Sequence, residues 1–299
     1  MKQLHYALTI AAAIAAVAMP QSANAAGKMT LYCSPQIEWC QIMVKEFEKR
    51  TGIKVAMTRK SSGETFAQIK AERRNPKGDV WWGGTGDPHL QAAEEGLTVK
   101  YESPKLGELL SWAKRQAKQS GYKTVGIYAG ALGIGYNKES MKKLKLPIPK
   151  CWADLTKPVY KGHIQMANPN SSGTAYTTLA TIVQILGEKK GFDFMKGLHK
   201  NINQYTKSGS APIKAAARGE TAIGITFMHD NVTQVVKGFP VAIVAPCEGT
   251  GYEIGSMSII KGARNLASAK KWVDFALDPK AQMLAAKAKA FQVPSNSKA

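Results

Sequence analysis

Residues 29–57, MTLYCSPQIEWCQIMVKEFEKRTGIKVAM, contain two apolar runs separated by a segment with helical periodicity. The run 29–33 and the run 53–57 have the composition of buried strands. Between them, Ile37, Cys40, Val44 and Phe47 recur at helical spacing, and the glycine that follows Thr51 is a typical helix end. A strand–helix–strand unit of this length predicts two parallel strands, and therefore an α/β fold.

The same alternation continues along the chain. Strands are predicted at 79–82, 124–136, 164–167, 202–205, 222–227 and 255–260, and helices at 64–74, 90–96, 177–186, 192–198, 212–218, 272–277 and 281–289. We interpret the gly-rich run 124–136 as a strand that passes from one lobe into another, and the run 241–245 as a second crossing strand. The chain is long enough for two lobes with a sizeable core.

Polar and small residues follow the predicted strand ends, where ligands bind in open α/β sheets. The candidate ligand-binding residues at these ends are Ser34, Ser61, Ser62, Thr85, Ser172, Gly173, Thr174, Ala175, Ser208, Ser210, His229 and Asp230. Because parallel strands share one carboxyl edge, we expect these residues to line one cleft.

The segment 168–176, NPNSSGTAY, precedes the apolar helix 177–186. The first N–H groups of a helix lack intrahelical acceptors, and the helix dipole favours an anion there. Ser172 and Thr174 add hydroxyl donors, and Gly173 allows a ligand to approach the backbone closely. The segment predicts an anion site; taken alone, an ordinary capped helix start is the alternative.

The first 25 residues have the pattern of a secretory signal peptide. Lys2 gives a basic start, an alanine-rich apolar stretch follows, and the residues 23–25, ANA, match a cleavage site. We expect removal of residues 1–25 and export to the periplasm. Without Lys2 the formal net charge falls from +20 to +19. This charge is spread along the chain, so we expect a small anionic ligand and no nucleic-acid partner.

Four cysteines remain after that segment, and two disulfides are expected in an oxidising compartment. Four cysteines permit three pairings. We expect Cys33–Cys40, which closes a short local loop, and Cys151–Cys247. Their spacing matches neither a CxxC redox motif nor a zinc site.

Several segments together point to a known family. They are 31–32 (LY), 47–52 (FEKRTG), 78–82 (GDVWW), 133–137 (GIGYN), 152–155 (WADL), 168–176 and 207–211 (KSGSA). With them the chain resembles the periplasmic substrate-binding proteins of ABC importers, in the branch that includes ferric-ion-, hexose-phosphate- and phosphonate-binding proteins. The resemblance implies a type II two-lobed α/β fold with hinge strands and a ligand between the lobes. It places lobe 1 at 26–128 plus 250–299 and lobe 2 at 129–249.

The chain departs from the ferric-binding pattern at its metal ligands. The expected histidine is Gln36, the expected carboxylate is replaced by glycine, and the tyrosine pair falls on His229 and Asp230. The resemblance to the hexose-phosphate type is closer, because that type has a His-Asp pair followed by a glutamate, here Glu253. It implies that Ser61, Thr85, Thr174 and Ser210 donate hydroxyl groups to a phosphate. His229, Asp230 and Glu253 would then contact sugar hydroxyls.

We therefore expect the solute-binding component of an ABC importer that binds a phosphorylated small organic anion, with a sugar phosphate favoured. A phosphonate or a ferric ion or complex is the alternative ligand. We expect a monomer with no catalytic activity, no metal and no cofactor, whose partner is a membrane-embedded permease. Less functional interpretations, in which these residues do not bind the ligand, remain open. His229 would have a structural role, Asp230 would cap the following helix, and Glu253 would lie in a solvated loop.

Overall fold

The computed structural model describes residues 27–299, so the predicted signal peptide lies outside the described residues. The strands are β1 (Lys28–Cys33), β2 (Lys54–Arg59), β3 (Val80–Trp82), β4 (Thr98–Val99), β5 (Val125–Asn137), β6 (Ile164–Ala167), β7 (Ile202–Thr206), β8 (Ile223–Phe227), β9 (Val241–Val244), β10 (Tyr252–Ile260) and β11 (Val293–Pro294). The helices are α1 (Ile37–Thr51), α2 (Ser62–Ala71), α3 (Gly86–Glu94), α4 (Ser111–Gln119), α5 (Lys138–Lys143), α6 (Gly173–Leu186), α7 (Glu188–His199), α8 (Ala211–Ala217), α9 (Met228–Val236), α10 (Leu266–Ala276), α11 (Pro279–Gln282) and α12 (Leu284–Lys287).

The first lobe is built on a sheet with the strand order β2-β1-β3-β10-β5. Strand β1 runs parallel to β2 and β3, whereas β10 is antiparallel to both β3 and β5. The short strands β4 and β11 add to β10 and β5. The parallel part is the βαβ arrangement that residues 29–57 predict, and it places the carboxyl ends of β1, β2 and β3 at one edge.

The second lobe has the order β5-β8-β6-β7, with β9 also paired to β5. Strands β6, β7 and β8 are parallel, and β8 is antiparallel to β5. The long strand β5 belongs to both sheets, because its residues up to Ala131 pair with β10 and those from Leu132 pair with β8. The fold is therefore two-lobed and α/β, and β5 is the crossing strand that the run 124–136 predicts.

The prediction of a second crossing strand at 241–245 is wrong. Strand β9 pairs only with residues 134–137 of β5, so it stays within the second sheet. The chain returns to the first lobe after β9, in the segment that leads into β10. Hydrophobic patterning could not show this difference, because a crossing strand and an ordinary edge strand bury similar residues.

Each lobe has its own core. The first buries Leu31, Phe47 and Trp272 between the sheet and helices α1 and α10, and the second buries Trp152 and Ile164. None of the helices within residues 27–299 has the length and apolarity needed to span a lipid bilayer.

Several helical regions differ from the sequence-based expectation. Helix α4 was not predicted, because its buried side chains are Ala113, Gln116 and Ala117, which give little hydrophobic periodicity. The predicted helix 281–289 is divided into the short helices α11 and α12. Helix α6 begins at Gly173, earlier than expected, so residues 173–176 are its first turn.

Both expected disulfides are present. Cys33–Cys40 links the end of β1 to α1, and Cys151–Cys247 joins residues 96 positions apart. The second bond connects the segment after α5 to the segment that leaves β9, close to where the chain enters and leaves the second lobe. No cysteine among residues 27–299 is free.

Candidate functional site

Six strand ends meet at the cleft between the lobes. Strands β1, β2 and β3 are followed by α1, α2 and α3, and strands β6, β7 and β8 are followed by α6, α8 and α9. Residues at or next to the start of each of these six helices line the same cleft. Each helix start carries roughly half a positive charge. The fold therefore concentrates backbone N–H groups and positive potential at a single position.

The cleft brings together nearly all the predicted site residues. It is lined by Ser34, Ser61, Ser62, Thr85, Ser172, Gly173, Thr174, Ser208, Ser210, His229, Asp230 and Glu253. Ala175 is the exception and does not line the cleft. Its backbone N–H donates to the Ser172 Oγ at 3.4 Å, so it takes part in capping α6. The prediction that Ala175 lines the cleft is therefore wrong.

Several of the predicted hydroxyl groups already have partners. The Ser34 Oγ accepts from the Trp81 Nε1 at 2.9 Å, and the Ser62 Oγ accepts from the Thr85 backbone N–H at 3.1 Å. The Ser61 Oγ donates to the Lys207 carbonyl in the opposite lobe at 3.2 Å. These contacts shape the cleft wall. Ser61 uses its hydroxyl hydrogen in its contact, whereas Ser34 and Ser62 accept through oxygen in theirs.

Thr85 and Thr174 are the hydroxyl residues best placed to donate. The Thr85 Oγ1 is buried and has no hydrogen-bond partner among residues 27–299. Within the same residues, the backbone N–H groups of Gly173 and Thr174 have no acceptor. A buried donor without a partner is costly, so these groups favour an acceptor such as a phosphate oxygen.

Gly173 allows the two lobes to meet at this point. A Cβ atom built on Gly173 would lie less than 3.0 Å from the Oγ1, Cγ2 and Cβ atoms of Thr85 in the other lobe. A similar close approach occurs at Gly63, whose N–H donates to the Ser171 carbonyl at 3.1 Å. The lobes thus contact one another through backbone at both positions.

Arg59 is a cleft residue that the sequence reasoning missed. It is the last residue of β2, and its Nε and Nη2 donate to the carbonyl oxygens of Pro35 at 3.0 Å and Ser34 at 3.2 Å. Burial lowers the pKa of Arg59 from its ordinary value, and the carboxylates of Glu64 and Asp230 oppose that shift. The nearby Lys60 and Lys207 are not among the cleft-lining residues.

His229, Asp230 and Glu253 form a second, more acidic side of the cleft. The His229 Nε2 lies 3.9 Å from the Asp230 Oδ2 and 3.8 Å from the Glu253 Oε1. Burial raises the pKa of Glu253 well above its usual range, and the Asp230 carboxylate raises it further. Burial also lowers the pKa of His229. A neutral imidazole and a neutral carboxyl each both donate and accept, which suits sugar hydroxyl groups.

Two of the less functional interpretations are wrong. Glu253 is not in a solvated loop, because it lies on β10 with only 5% of its surface exposed. Asp230 is not the cap of α9, because the cap position is Phe227 and Asp230 lies in the first turn. The Asp230 carboxylate accepts from the Thr226 hydroxyl at 3.0 Å and from the Gln36 side-chain amide across the cleft.

Gln36 joins the two lobes and the C-terminal segment. Its amide donates to Asp230, and its Oε1 accepts from the Gln292 Nε2 at 3.4 Å. The Gln292 Oε1 is buried without a partner among the described residues, and Gln292 lines the cleft. Neither side chain was predicted as a ligand contact, because a glutamine outside a recognisable motif carries no distinctive signal.

The acidic side does not form a compact ligand set for a metal. Within residues 27–299, the only three side chains whose donor atoms all lie within 4.8 Å are Cys151, Cys247 and Glu248. Both of those cysteines are in a disulfide, so they supply no thiolate.

Comparison with known proteins connects this geometry to a family. Residues 84–299 match the family model described as bacterial extracellular solute-binding protein. The chain is similar to the periplasmic binding protein AfuA from Actinobacillus pleuropneumoniae, solved with exogenous fructose-6-phosphate bound. The two are 48% identical, with 91% of this chain and 86% of AfuA covered and a TM-score of 0.87.

Two further solved structures are similar over most of the chain. The periplasmic binding protein P5PA is 41% identical, with 91% of this chain and 87% of P5PA covered and a TM-score of 0.89. Iron-bound HitA from Pseudomonas aeruginosa is 22% identical, with 91% of this chain and 88% of HitA covered and a TM-score of 0.76. At that identity, the likeness to HitA shows the fold alone.

Proposed function

This chain belongs to the bacterial extracellular solute-binding proteins, and from that membership we propose that it captures a phosphorylated sugar in the periplasm for the permease of an ABC importer. The observation that carries the proposal is the meeting of six helix N-termini at one cleft, which is lined by Arg59 and by the side chains of His229, Asp230 and Glu253. A sugar phosphate has the same two-sided chemistry. The bound fructose-6-phosphate of AfuA, which is 48% identical, supports this choice.

The phosphate would bind at the helix starts. The donors that suit a phosphate are the free N–H groups of Gly173 and Thr174, the hydroxyls of Thr85 and Thr174, and the Arg59 guanidinium. Hydrogen bonds to a charged acceptor contribute about 1.5–3 kcal/mol each. Ser61 and Ser210 would complete the wall around the phosphate, as the resemblance implies, and Ser208 lines the same cleft.

The sugar would bind beside His229, Asp230 and Glu253. Their positions on α9 and β10 bring imidazole and carboxyl groups next to one another in the cleft. Bonds from one carboxyl group to adjacent hydroxyls depend on the configuration at each carbon, so this side would select the sugar.

We further propose the lobe boundaries 26–128 plus 250–299 for lobe 1 and 129–249 for lobe 2. The first boundary is supported by the change of pairing partner along β5 between Ala131 and Leu132. We propose that the protein is a monomer and that it binds its ligand without turnover, as expected for a transport component.

The experiment that tests this function is thermal unfolding of the purified chain with matched ligands. At a ligand concentration 100-fold above Kd, binding stabilises the folded state by about 2.7 kcal/mol, a rise in Tm of roughly 5–10 °C. We expect this rise with a hexose 6-phosphate and none with the free hexose. No response to any sugar phosphate would overturn the proposal. An equal response to phosphonates, or a response to ferric ion alone, would support the alternative ligands instead.

Substitution on the two sides of the cleft should separate phosphate from sugar recognition. Thr174→Val removes one hydroxyl with little change in shape, and we expect it to weaken every phosphorylated ligand by roughly 10- to 100-fold. Asp230→Asn keeps the shape but replaces an acceptor-only group with an amide that also donates. It should therefore change which of two epimeric hexose phosphates binds more tightly. Titration calorimetry with two epimers measures both effects. Parallel losses for both epimers in both variants would contradict the assigned roles.

A further inference from the structure

A basic and partly apolar surface lies on the second lobe, apart from the cleft. We call it the basic ridge, and it is formed by residues 138–150, KESMKKLKLPIPK. Its exposed residues are Lys138, Glu139, Lys142, Lys143, Leu144, Lys145, Pro147, Ile148 and Lys150. None of them lines the ligand cleft, so the proposed function leaves the ridge unexplained.

The local structure holds the ridge in place. The Asn137 side chain caps α5 by accepting from the N–H groups of Glu139 and Ser140, each at 3.0 Å. At its other end, Lys145 takes a left-handed conformation with φ 53°, and the Leu146 N–H donates back to the Met141 carbonyl at 3.0 Å.

The extended part that follows is also anchored. The buried Tyr160 donates its hydroxyl to the Pro147 carbonyl at 2.9 Å. This bond directly fixes the chain next to Ile148, whose side chain is 52% exposed. The ridge is therefore an ordered surface, and its exposed apolar side chains are held outward.

The ridge combines apolar surface with unpaired positive charge. Met141, Leu146 and Ile148 line a groove, and Lys138, Lys142 and Lys145 line the same groove. Among residues 27–299, none of the five ridge lysines is in an ion pair. Glu139 is the only acidic residue in the segment. Surfaces with this composition fit the interface of an anionic bilayer, where lysines meet headgroups and apolar residues enter the boundary.

We propose that the basic ridge binds the surface of an anionic phospholipid membrane. Leu144 and Ile148 enter the headgroup region, and the lysines contact the lipid phosphates. We commit to this occupant because the exposed lysines complement the lipid phosphates, and the exposed Leu144 and Ile148 complement the apolar boundary directly beneath them. Membrane attachment through the second lobe leaves the ligand cleft free, since the two surfaces share no residue.

Sedimentation with vesicles tests the proposal on the full mature chain. Vesicles contain phosphatidylcholine alone or a mixture with phosphatidylglycerol, and we expect binding only to the mixture. Each lysine at an anionic surface contributes about fivefold to partitioning. The triple variant K142Q/K143Q/K145Q should therefore lose roughly 100-fold in partitioning, and L144S/I148S should also bind more weakly.

A matched control separates the ridge from total charge. The variant K45Q/K49Q/K271Q removes three exposed lysines from the first lobe, so its net charge equals that of the ridge triple variant. We expect it to bind nearly as well as the unmodified chain. The proposal is overturned if the unmodified chain does not bind the mixed vesicles, or if both triple variants lose binding equally. It is also overturned if L144S/I148S binds at full strength. Circular dichroism of each variant checks that the fold is retained.

Discussion

Replacing Gly173 with alanine is expected to lower ligand affinity by roughly 10- to 100-fold while the stability of the ligand-free protein changes little. The added Cβ would lie less than 3.0 Å from three atoms of Thr85 in the other lobe, including its Cβ. Rotation of the threonine side chain cannot remove this clash, because its Cβ does not move with χ1. Overpacking of this kind costs typically 1–3 kcal/mol, and we expect it to act against the closed arrangement of the lobes in which Gly173 meets Thr85.

Titration calorimetry with a sugar phosphate measures the affinity, and small-angle X-ray scattering reports whether the ligand closes the lobes. We expect the variant to remain more extended than the unmodified chain at the same ligand concentration. Gly63→Ala should behave similarly, because its Cβ would meet the Asn170 carbonyl of the opposite lobe. Gly107→Ala is the control, since no atom lies within 4 Å of its added Cβ. Unchanged affinity in both Gly173→Ala and Gly63→Ala would contradict the closed contact.

Replacing Arg59 with methionine is expected to lower affinity for sugar phosphates by roughly 100-fold or more. Arg59 is the only arginine or lysine lining the cleft within residues 27–299, and its guanidinium is held beside the ends of β1 and β2 by two backbone carbonyls. Loss of one partner from a buried, hydrogen-bonded charge pair costs about 2–5 kcal/mol. Methionine keeps much of the apolar stem and removes the charge.

Arg59→Lys is the matched control. Lysine keeps the charge but lacks the planar fork that donates to Pro35 and Ser34, so we expect an intermediate loss of affinity. Calorimetry compares both variants, and thermal unfolding without ligand shows how much stability the two carbonyl contacts supply. If Arg59→Met bound sugar phosphates as tightly as the unmodified chain, the guanidinium would have no part in phosphate recognition.

Residue patterns were sufficient to predict the main architecture and most of the residues that line the cleft. Ser61, Thr85, Ser172 and His229 could be found because each follows a strand that the sequence predicts, and turn-forming residues mark the place where the strand ends. Helix α4 could not be found in this way, because small and polar residues cover its buried face. The period of a helix is visible only where large apolar residues mark it.

The parts of the site that the sequence did not predict depend on contacts between residues that are far apart in the chain. Arg59 ends a strand in a chain with 41 lysines and arginines, so its type and position alone do not distinguish it. Ser34 looked available to a ligand, but its hydroxyl accepts from Trp81, which is 47 positions away, and also lies 3.2 Å from the Thr65 hydroxyl. Only the packing of β1 against β3 shows which hydroxyl groups remain free.

The route of the chain through β5 also sets an order in which the two lobes can be completed. Strands β6 to β9 and the Cys151–Cys247 bond all precede β10 in the chain. Strand β10 lies between β3 and β5 in the first sheet. A chain that emerges N-terminus first can therefore complete the second lobe while the first sheet still lacks an inner strand. Until Tyr252–Ile260 arrives, β3 has an unpaired edge that is open to aggregation, and that exposure ends only when β10 inserts.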